Sequence, residues 1–90
     1  MARLLIPAPL LRFTENEKEL QFEGETVGEV LAGASRRYPE LGARLFDEKG
    51  GLRSYVHLFL GEREIMFLQG PDTPVEDDTV IKLVPAIAGG

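Results

Sequence analysis

Short stretches in which hydrophobic and polar positions alternate run along this chain, and they predict strands. Residues 3–6 are mostly apolar, and the prolines that follow end this first strand. After a polar loop at 14–18, Leu20 and Phe22 alternate with polar neighbours, which is typical of a half-buried strand. Two strands joined by a short polar connection favour a hairpin at the start of the domain.

The spacing of apolar residues then changes to that of a helix. Thr26 followed by Glu29 is a capping box, in which the hydroxyl bonds the Glu29 amide and the carboxylate reaches back. The positions that follow helical spacing are Val27, Val30, Leu31, Ala34 and Tyr38. Pro39 disfavours the helical conformation at the residue before it, so the helix is expected to end there. Residues 40–46 are predicted to add only a short turn.

The second half of the chain returns to strands. Residues 55–60 give the strongest strand pattern, and a Gly-Glu turn after them leads to a short strand at 64–66. Residues 69–78 hold glycine and prolines and are predicted to be irregular, and residues 80–84 form the last strand.

The resulting order is strand, strand, helix, strand, short strand, strand. It predicts an α+β domain with a mixed sheet of four to five strands and one main helix on one face. This is the order of the β-grasp, or ubiquitin-like, fold. We expect residues 1–84 to form that domain and residues 85–90 to form a flexible C-terminal tail that ends in Gly-Gly.

Successive residues of the strand at 55–60 point to opposite faces of the sheet. The set expected under the helix is Val56, Leu58 and Leu60. The set expected on the open face is Tyr55, His57 and Phe59. Aromatic side chains are enriched in interfaces, so we predict a partner-docking role for this second set, with plain surface packing as the alternative. His57 is not expected to be catalytic, because no nucleophile or orienting partner is evident in the sequence.

Composition narrows the function further. A chain of 90 residues buries one modest core, and its lack of cysteine excludes disulfides and thiolate metal sites. The net charge of −5 argues against an extended basic face for nucleic acid. The apolar runs are too short for a membrane span or a secretory signal, so we expect no membrane association and a cytoplasmic protein. The chain has one histidine and no EF-hand spacing, so the sequence predicts no metal site.

The last six residues are uncharged and end in two glycines: Pro85, Ala86, Ile87, Ala88, Gly89 and Gly90. Glycine lacks a Cβ, so such a tail can enter a narrow channel and present an unhindered carboxylate. That carboxylate becomes reactive when ATP converts it to an acyl-adenylate. A sulfur nucleophile then gives a thiocarboxylate, whereas an amine gives an isopeptide bond. The alternative is an inert terminus.

The last strand and tail resemble the MoaD/ThiS family of ubiquitin-like sulfur carriers: an acidic turn at Asp77-Asp78, an alternating strand, Pro85 and Gly89-Gly90. Ile6-Pro7 and the segment 24–28 most resemble the members that serve cysteine biosynthesis. Asp78 stands where the family usually has a turn glycine, and aspartate tolerates the left-handed conformation better than most residues.

The resemblance implies a protein that is not itself an enzyme and binds no cofactor. An E1-like partner would use ATP and Mg²⁺ to adenylate Gly90, and a donor such as a sulfurtransferase would supply the sulfur. The acceptor would be a PLP-dependent cysteine synthase or, second, the large subunit of molybdopterin synthase. Two alternatives stay open: a ubiquitin-like modifier joined to lysines through Gly90, and a plain β-grasp interaction domain.

Overall fold

The computed structural model describes residues 1–85, and within this range five strands form one mixed sheet in the order β2-β1-β5-β3-β4. The strands are β1 (Ala2–Leu5), β2 (Glu19–Phe22), β3 (Val56–Leu60), β4 (Arg63–Glu64) and β5 (Val80–Pro85). β1 and β5 are parallel, whereas the other neighbours are antiparallel. The predicted mixed sheet is confirmed.

The hairpin of β1 and β2 is also confirmed, with Leu4 opposite Leu20. Its connection is more structured than the sequence indicated, because a 3₁₀ turn at Ala8–Phe13 starts directly after Pro7. The turn brings Leu10 into the core. The Thr14 hydroxyl, which is buried, donates to the Glu17 carbonyl at 2.9 Å and closes the segment. An apolar turn therefore covers one end of the sheet.

The main helix, α1 (Val27–Arg37), begins at the predicted cap. The Glu29 N–H donates to the Thr26 hydroxyl oxygen at 3.2 Å. The Glu29 carboxylate accepts from the Glu25 N–H at 3.0 Å, one residue earlier than in the usual capping box. The residues that α1 buries against the sheet are Val27, Val30, Leu31 and Ala34.

The short turn predicted at 40–46 is wrong, because the chain forms a second helix there, α2 (Pro39–Leu45). Pro39 ends α1 by keeping Tyr38 out of the helical region (φ −128°, ψ 84°), yet its own fixed φ suits the first position of a new helix. Leu41 and Leu45 lie one turn apart and are fully buried. A Cβ on Gly42 would lie 2.1 Å from the Ser35 hydroxyl oxygen, so glycine permits the close contact of α2 with α1.

The short strand predicted at 64–66 is partly wrong. Pairing starts at Arg63 and stops at Glu64, after which Ile65–Phe67 form a 3₁₀ turn. Gly61, at φ +65°, makes the predicted tight turn before β4. The strand ends early because Ile65 turns into the core, where only 4% of it is exposed.

The irregular segment at 69–78 contains one further 3₁₀ turn, Gly70–Asp72, and is held against the start of α1. The Val27 N–H donates to the Thr73 carbonyl, and the Val75 N–H donates to the Glu25 carbonyl, each at 3.0 Å. Thr73 and Val75 are buried. Asp77 and Asp78 form the predicted turn before β5, without a left-handed residue among them.

The last strand is one residue longer than predicted, since Pro85 pairs with Val56 at its end. The Arg3 N–H donates to the Thr79 carbonyl, so odd-numbered residues of β5 direct their polar backbone groups towards β1. The Pro85 nitrogen therefore faces away from β3. Because β1 stops pairing at Leu5 opposite Lys82, no partner strand requires a donor from Pro85.

Candidate functional site

The predicted site lies at the carboxyl end of β5. The residues that carry its predicted chemistry are Ala86, Ile87, Ala88, Gly89 and Gly90, and all lie outside the described residues. Pro85 is the last described residue, and it is half-buried. The site is therefore built from the strands and loops around Pro85.

Strand β5 lies in the middle of the sheet, but its last three residues have a neighbour on one side only. Lys82 is the last residue opposite β1, whereas pairing with β3 continues to Val56 opposite Pro85. The chain thus leaves the sheet beside the start of β3, where Tyr55 is 38% exposed. Whatever approaches the tail at this point meets the beginning of β3.

The strand predicted at 55–60 starts one residue late, because Tyr55 lies in a turn before β3, and the two predicted faces are confirmed for residues 56–60. Val56 and Leu58 are buried under the helices, and Leu60 is half-buried. His57 and Phe59 are half-buried on the opposite face, where the cross-strand partners place them beside Val84 and Lys82. Two of the three side chains predicted to dock a partner, His57 and Phe59, thus share one face with alternate residues of the strand that carries the tail.

His57 has a carboxylate partner that the sequence analysis missed. Its Nδ1 lies 2.5 Å from Oε2 of Glu64 on β4. The two-residue turn at Gly61-Glu62 fixes Phe59 opposite Glu64, and this register sets His57 diagonally beside Glu64 on the same face. That turn was the sequence signal that could have found the pair.

The His57–Glu64 pair lines a cleft of about 200 Å³ together with Ser54, Ile65 and Met66. Within residues 1–85, no hydrogen bond joins Ser54 to His57. A carboxylate that orients a histidine is one part of a nucleophilic site, but the bond from base to nucleophile is missing in this part of the chain. The arrangement fixes the imidazole ring on the open face.

An exposed apolar segment was also missed. Met66 is 64% exposed, Phe67 is 80% exposed and Leu68 is 36% exposed, all directly after β4. The sequence signal is four apolar residues in a row, 65–68, which one turn of chain cannot bury together. This segment extends the apolar surface beyond the edge of the sheet near His57 and Glu64.

The described part of the chain shows no group of three His, Cys, Asp or Glu side chains placed to hold a metal ion. In the same part, no helix has the length and apolar composition needed to cross a membrane.

Comparison with known proteins agrees with this architecture. A model of the ThiS family matches residues 4–90. The chain is 29% identical over 87 residues to the sulfur carrier protein CysO of Mycobacterium tuberculosis, with 94% of each chain covered. It is 32% identical over 65 residues to small archaeal modifier protein 3 of Haloferax volcanii, which covers 72% of this chain and 70% of that protein.

The fold has a matching solved structure. A chain in the crystal structure of the Amycolatopsis orientalis BexX/CysO complex is similar with a TM-score of 0.89, at 28% identity and with 100% of both chains covered. The agreement extends over the whole sheet and both helices, so the predicted β-grasp fold is confirmed.

Proposed function

Because this chain belongs to the ThiS family, we propose that it is a sulfur carrier whose Gly90 carboxylate a partner enzyme converts to a thiocarboxylate. One observation carries the proposal: a central strand ends at Pro85 beside a single neighbour, and only small or apolar residues follow it to Gly89-Gly90. Fully extended, residues 86–90 span about 17 Å, enough to reach into a partner's pocket.

The chemistry needs no catalytic side chain from the carrier. An oxygen of the Gly90 carboxylate attacks the α-phosphorus of ATP, and pyrophosphate leaves. The sulfur of a donor at the oxidation level of sulfide then bonds to the acyl carbon, and the bond between that carbon and the AMP oxygen breaks. No net oxidation occurs, and AMP carries away one carboxylate oxygen. The E1-like partner supplies Mg²⁺ and the groups that stabilise the phosphates.

Partner binding is assigned to the open face beside the tail. His57 and Phe59 belong to this surface, Val84 joins it from β5, and the exposed Tyr55 lies directly before β3. Aromatic anchors on a rigid sheet lose little conformational freedom on binding, which suits a docking site. The similar chain in the BexX/CysO complex supports the idea that a β-grasp protein of this shape assembles with a partner protein.

Similarity to the CysO carrier favours cysteine biosynthesis as the destination of the sulfur, with a PLP-dependent synthase as acceptor. Molybdopterin synthase is the second candidate. Reaction of the thiocarboxylated protein with each purified acceptor separates the two. The correct acceptor consumes the thiocarboxylate. The cysteine synthase leaves a cysteine bonded to the Gly90 carbonyl, which a protease must hydrolyse, whereas molybdopterin synthase takes the sulfur and returns the free Gly90 carboxylate; the wrong acceptor leaves the thiocarboxylate intact.

Intact-mass spectrometry of the protein from its native host tests the carrier proposal. We expect a species heavier by the difference between sulfur and oxygen, located by fragmentation to the residue 90 carboxyl group. A chain that ends at Gly89 should lack this species and the pathway activity. The matched control is Ala88→Gly, which changes the tail but keeps the terminal carboxylate. Normal growth on the Gly89-terminated chain would contradict the proposal.

A second function, conjugation to lysines, is favoured by the similarity to a small archaeal modifier protein. The last tryptic site is Lys82, so conjugation would leave residues 83–90 attached to target lysines after digestion. Peptides that carry this remnant would establish the modifier function. If neither the remnant nor the sulfur-containing species forms, a plain interaction domain remains.

A further inference from the structure

Two guanidinium groups enclose the ring of Phe13. The Arg12 Cζ lies 4.8 Å from the ring centroid, and the Arg44 Cζ lies 5.0 Å from it. A third, Arg53, lines the same open cleft of about 370 Å³ beside Phe13 and Arg44. Its Nε donates to the Ala43 carbonyl at 3.0 Å. We call these four side chains the arginine cluster: Arg12, Phe13, Arg44 and Arg53.

The charge of the arginine cluster is not neutralised within the described chain. Among residues 1–85, no carboxylate lies within 4.0 Å of Arg12, Arg44 or Arg53. Glu40 lines the same cleft as Arg44 and Arg53, and Asp47 and Glu48 line a second cleft with Arg53. In a protein with a net charge of −5, these three guanidinium groups thus stay without an ion-pair partner in the described chain and can accept a carboxylate from another molecule. Stacking on Phe13 and the bond to Ala43 hold the guanidinium groups in place.

The arginine cluster lies at the end of the sheet from which the tail leaves. Parallel β1 and β5 run in the same direction, and the 3₁₀ turn with Arg12 follows β1 as the tail follows β5. From the other side, Arg53 comes shortly before Val56, which pairs with Pro85. A protein that takes the tail into its pocket therefore faces these guanidinium groups.

We propose that the arginine cluster docks an acidic surface, rich in Asp and Glu, on the enzyme that activates Gly90; this inference rests on the proposed function. Guanidinium groups bind carboxylates through paired hydrogen bonds, and prior ordering lowers the entropy lost on binding. The Gly90 carboxylate lies up to about 17 Å along the chain from Pro85, so the cluster meets the surface around the pocket rather than the nucleotide. Complementary charge speeds encounter and orients the tail towards the entrance.

The test is steady-state adenylation of the full chain by the E1-like enzyme of the same organism. Arg44→Glu is compared with Arg63→Glu, which makes the same charge change on β4, at the opposite end of the sheet from the tail. We expect Arg44→Glu to raise KM about tenfold with kcat unchanged, and Arg63→Glu to change KM less than about twofold. The difference should shrink near 1 M salt, where the screening length is about 3 Å.

Two controls keep the outcome decisive. Arg12→Gln and Arg44→Gln remove charge without introducing repulsion and should each give a smaller rise in KM, and circular dichroism checks that every variant is folded. Equal KM values for Arg44→Glu and Arg63→Glu would overturn the docking inference and leave the carrier proposal intact. Binding of ATP alone to the cluster would overturn it too. If the wild-type chain is not adenylated at all, the proposed function fails instead.

Discussion

At the scale of single residues, the direction in which the backbone N–H points decides whether a strand position tolerates proline. Proline is expected to stop strand pairing because it lacks an N–H, yet Pro85 lies within β5. Its nitrogen points to the side on which β1 has already ended, so no ladder bond is missing. Val84 has the opposite orientation, and its N–H faces His57 on β3.

This orientation predicts different outcomes for two neighbouring substitutions. Pro85→Ala should lower the free energy of unfolding by about 1 kcal/mol or less, because it only increases the freedom of the unfolded chain. Val84→Pro should lower it by more, roughly 2 kcal/mol, because it removes the N–H that faces His57 on β3. Urea denaturation measures both. Similar losses from the two variants would show that the assigned orientation of β5 is wrong.

At the scale of elements, the short turn after β4 divides one apolar run into a buried and an exposed part. Ile65 anchors the turn in the core, whereas Phe67, two residues later, is 80% exposed. A 3₁₀ turn places about three residues in a full rotation, so adjacent side chains cannot share one face. The element thus contributes to stability through one side chain and offers the others to a partner.

The matched pair Ile65→Ala and Phe67→Ala tests this division. Ile65→Ala should cost about 2–4 kcal/mol of unfolding free energy, because it leaves a cavity in the core. Phe67→Ala should change stability by about 0.5 kcal/mol or less, because it removes an exposed side chain. The measurement is again equilibrium denaturation, with wild type as reference. A large loss on truncating Phe67 would mean that the ring is packed.

At the scale of the whole molecule, the sheet and the two helices share one core. The largest fully buried side chains come from β1, α1, α2, β3, β5 and the hairpin connection: Leu4, Leu31, Leu41, Leu45, Leu58, Ile81, Leu83, Val27, Val30 and Thr14. Since the helices and the strands bury their side chains in the same core, neither layer can keep its buried surface without the other.

We therefore expect cooperative two-state unfolding. Far-ultraviolet circular dichroism follows the helices, and the chain has no tryptophan, so fluorescence reports Tyr38 and Tyr55. Tyr38 is buried at the end of α1, and Tyr55 is exposed at the start of β3. The two signals should give the same denaturation midpoint. Separate midpoints would indicate that the helices and the sheet unfold independently.

The local pattern of hydrophobic and polar residues alone determined much of the secondary structure of this protein. The period of two located β2, β3 and β5, the period near 3.6 located α1, and Thr26 with Glu29 marked where α1 starts. These features depend on neighbours within a few residues, and the sequence contains them in full. The tail and its resemblance to a family could also be recognised from the sequence, because the proposed chemistry uses the backbone carboxylate and does not depend on packing.

Only the tertiary structure decided the remainder, because it depends on groups that are distant in sequence. α2 became a full helix because the close approach at Gly42 let Leu41 and Leu45 fill the core. Glu64 reached His57 through strand register. Arg12 and Arg44 met at the ring of Phe13 only after the hairpin connection and α2 had packed together. Periodicity places each residue on a face, but only packing between faces determines which side chains meet.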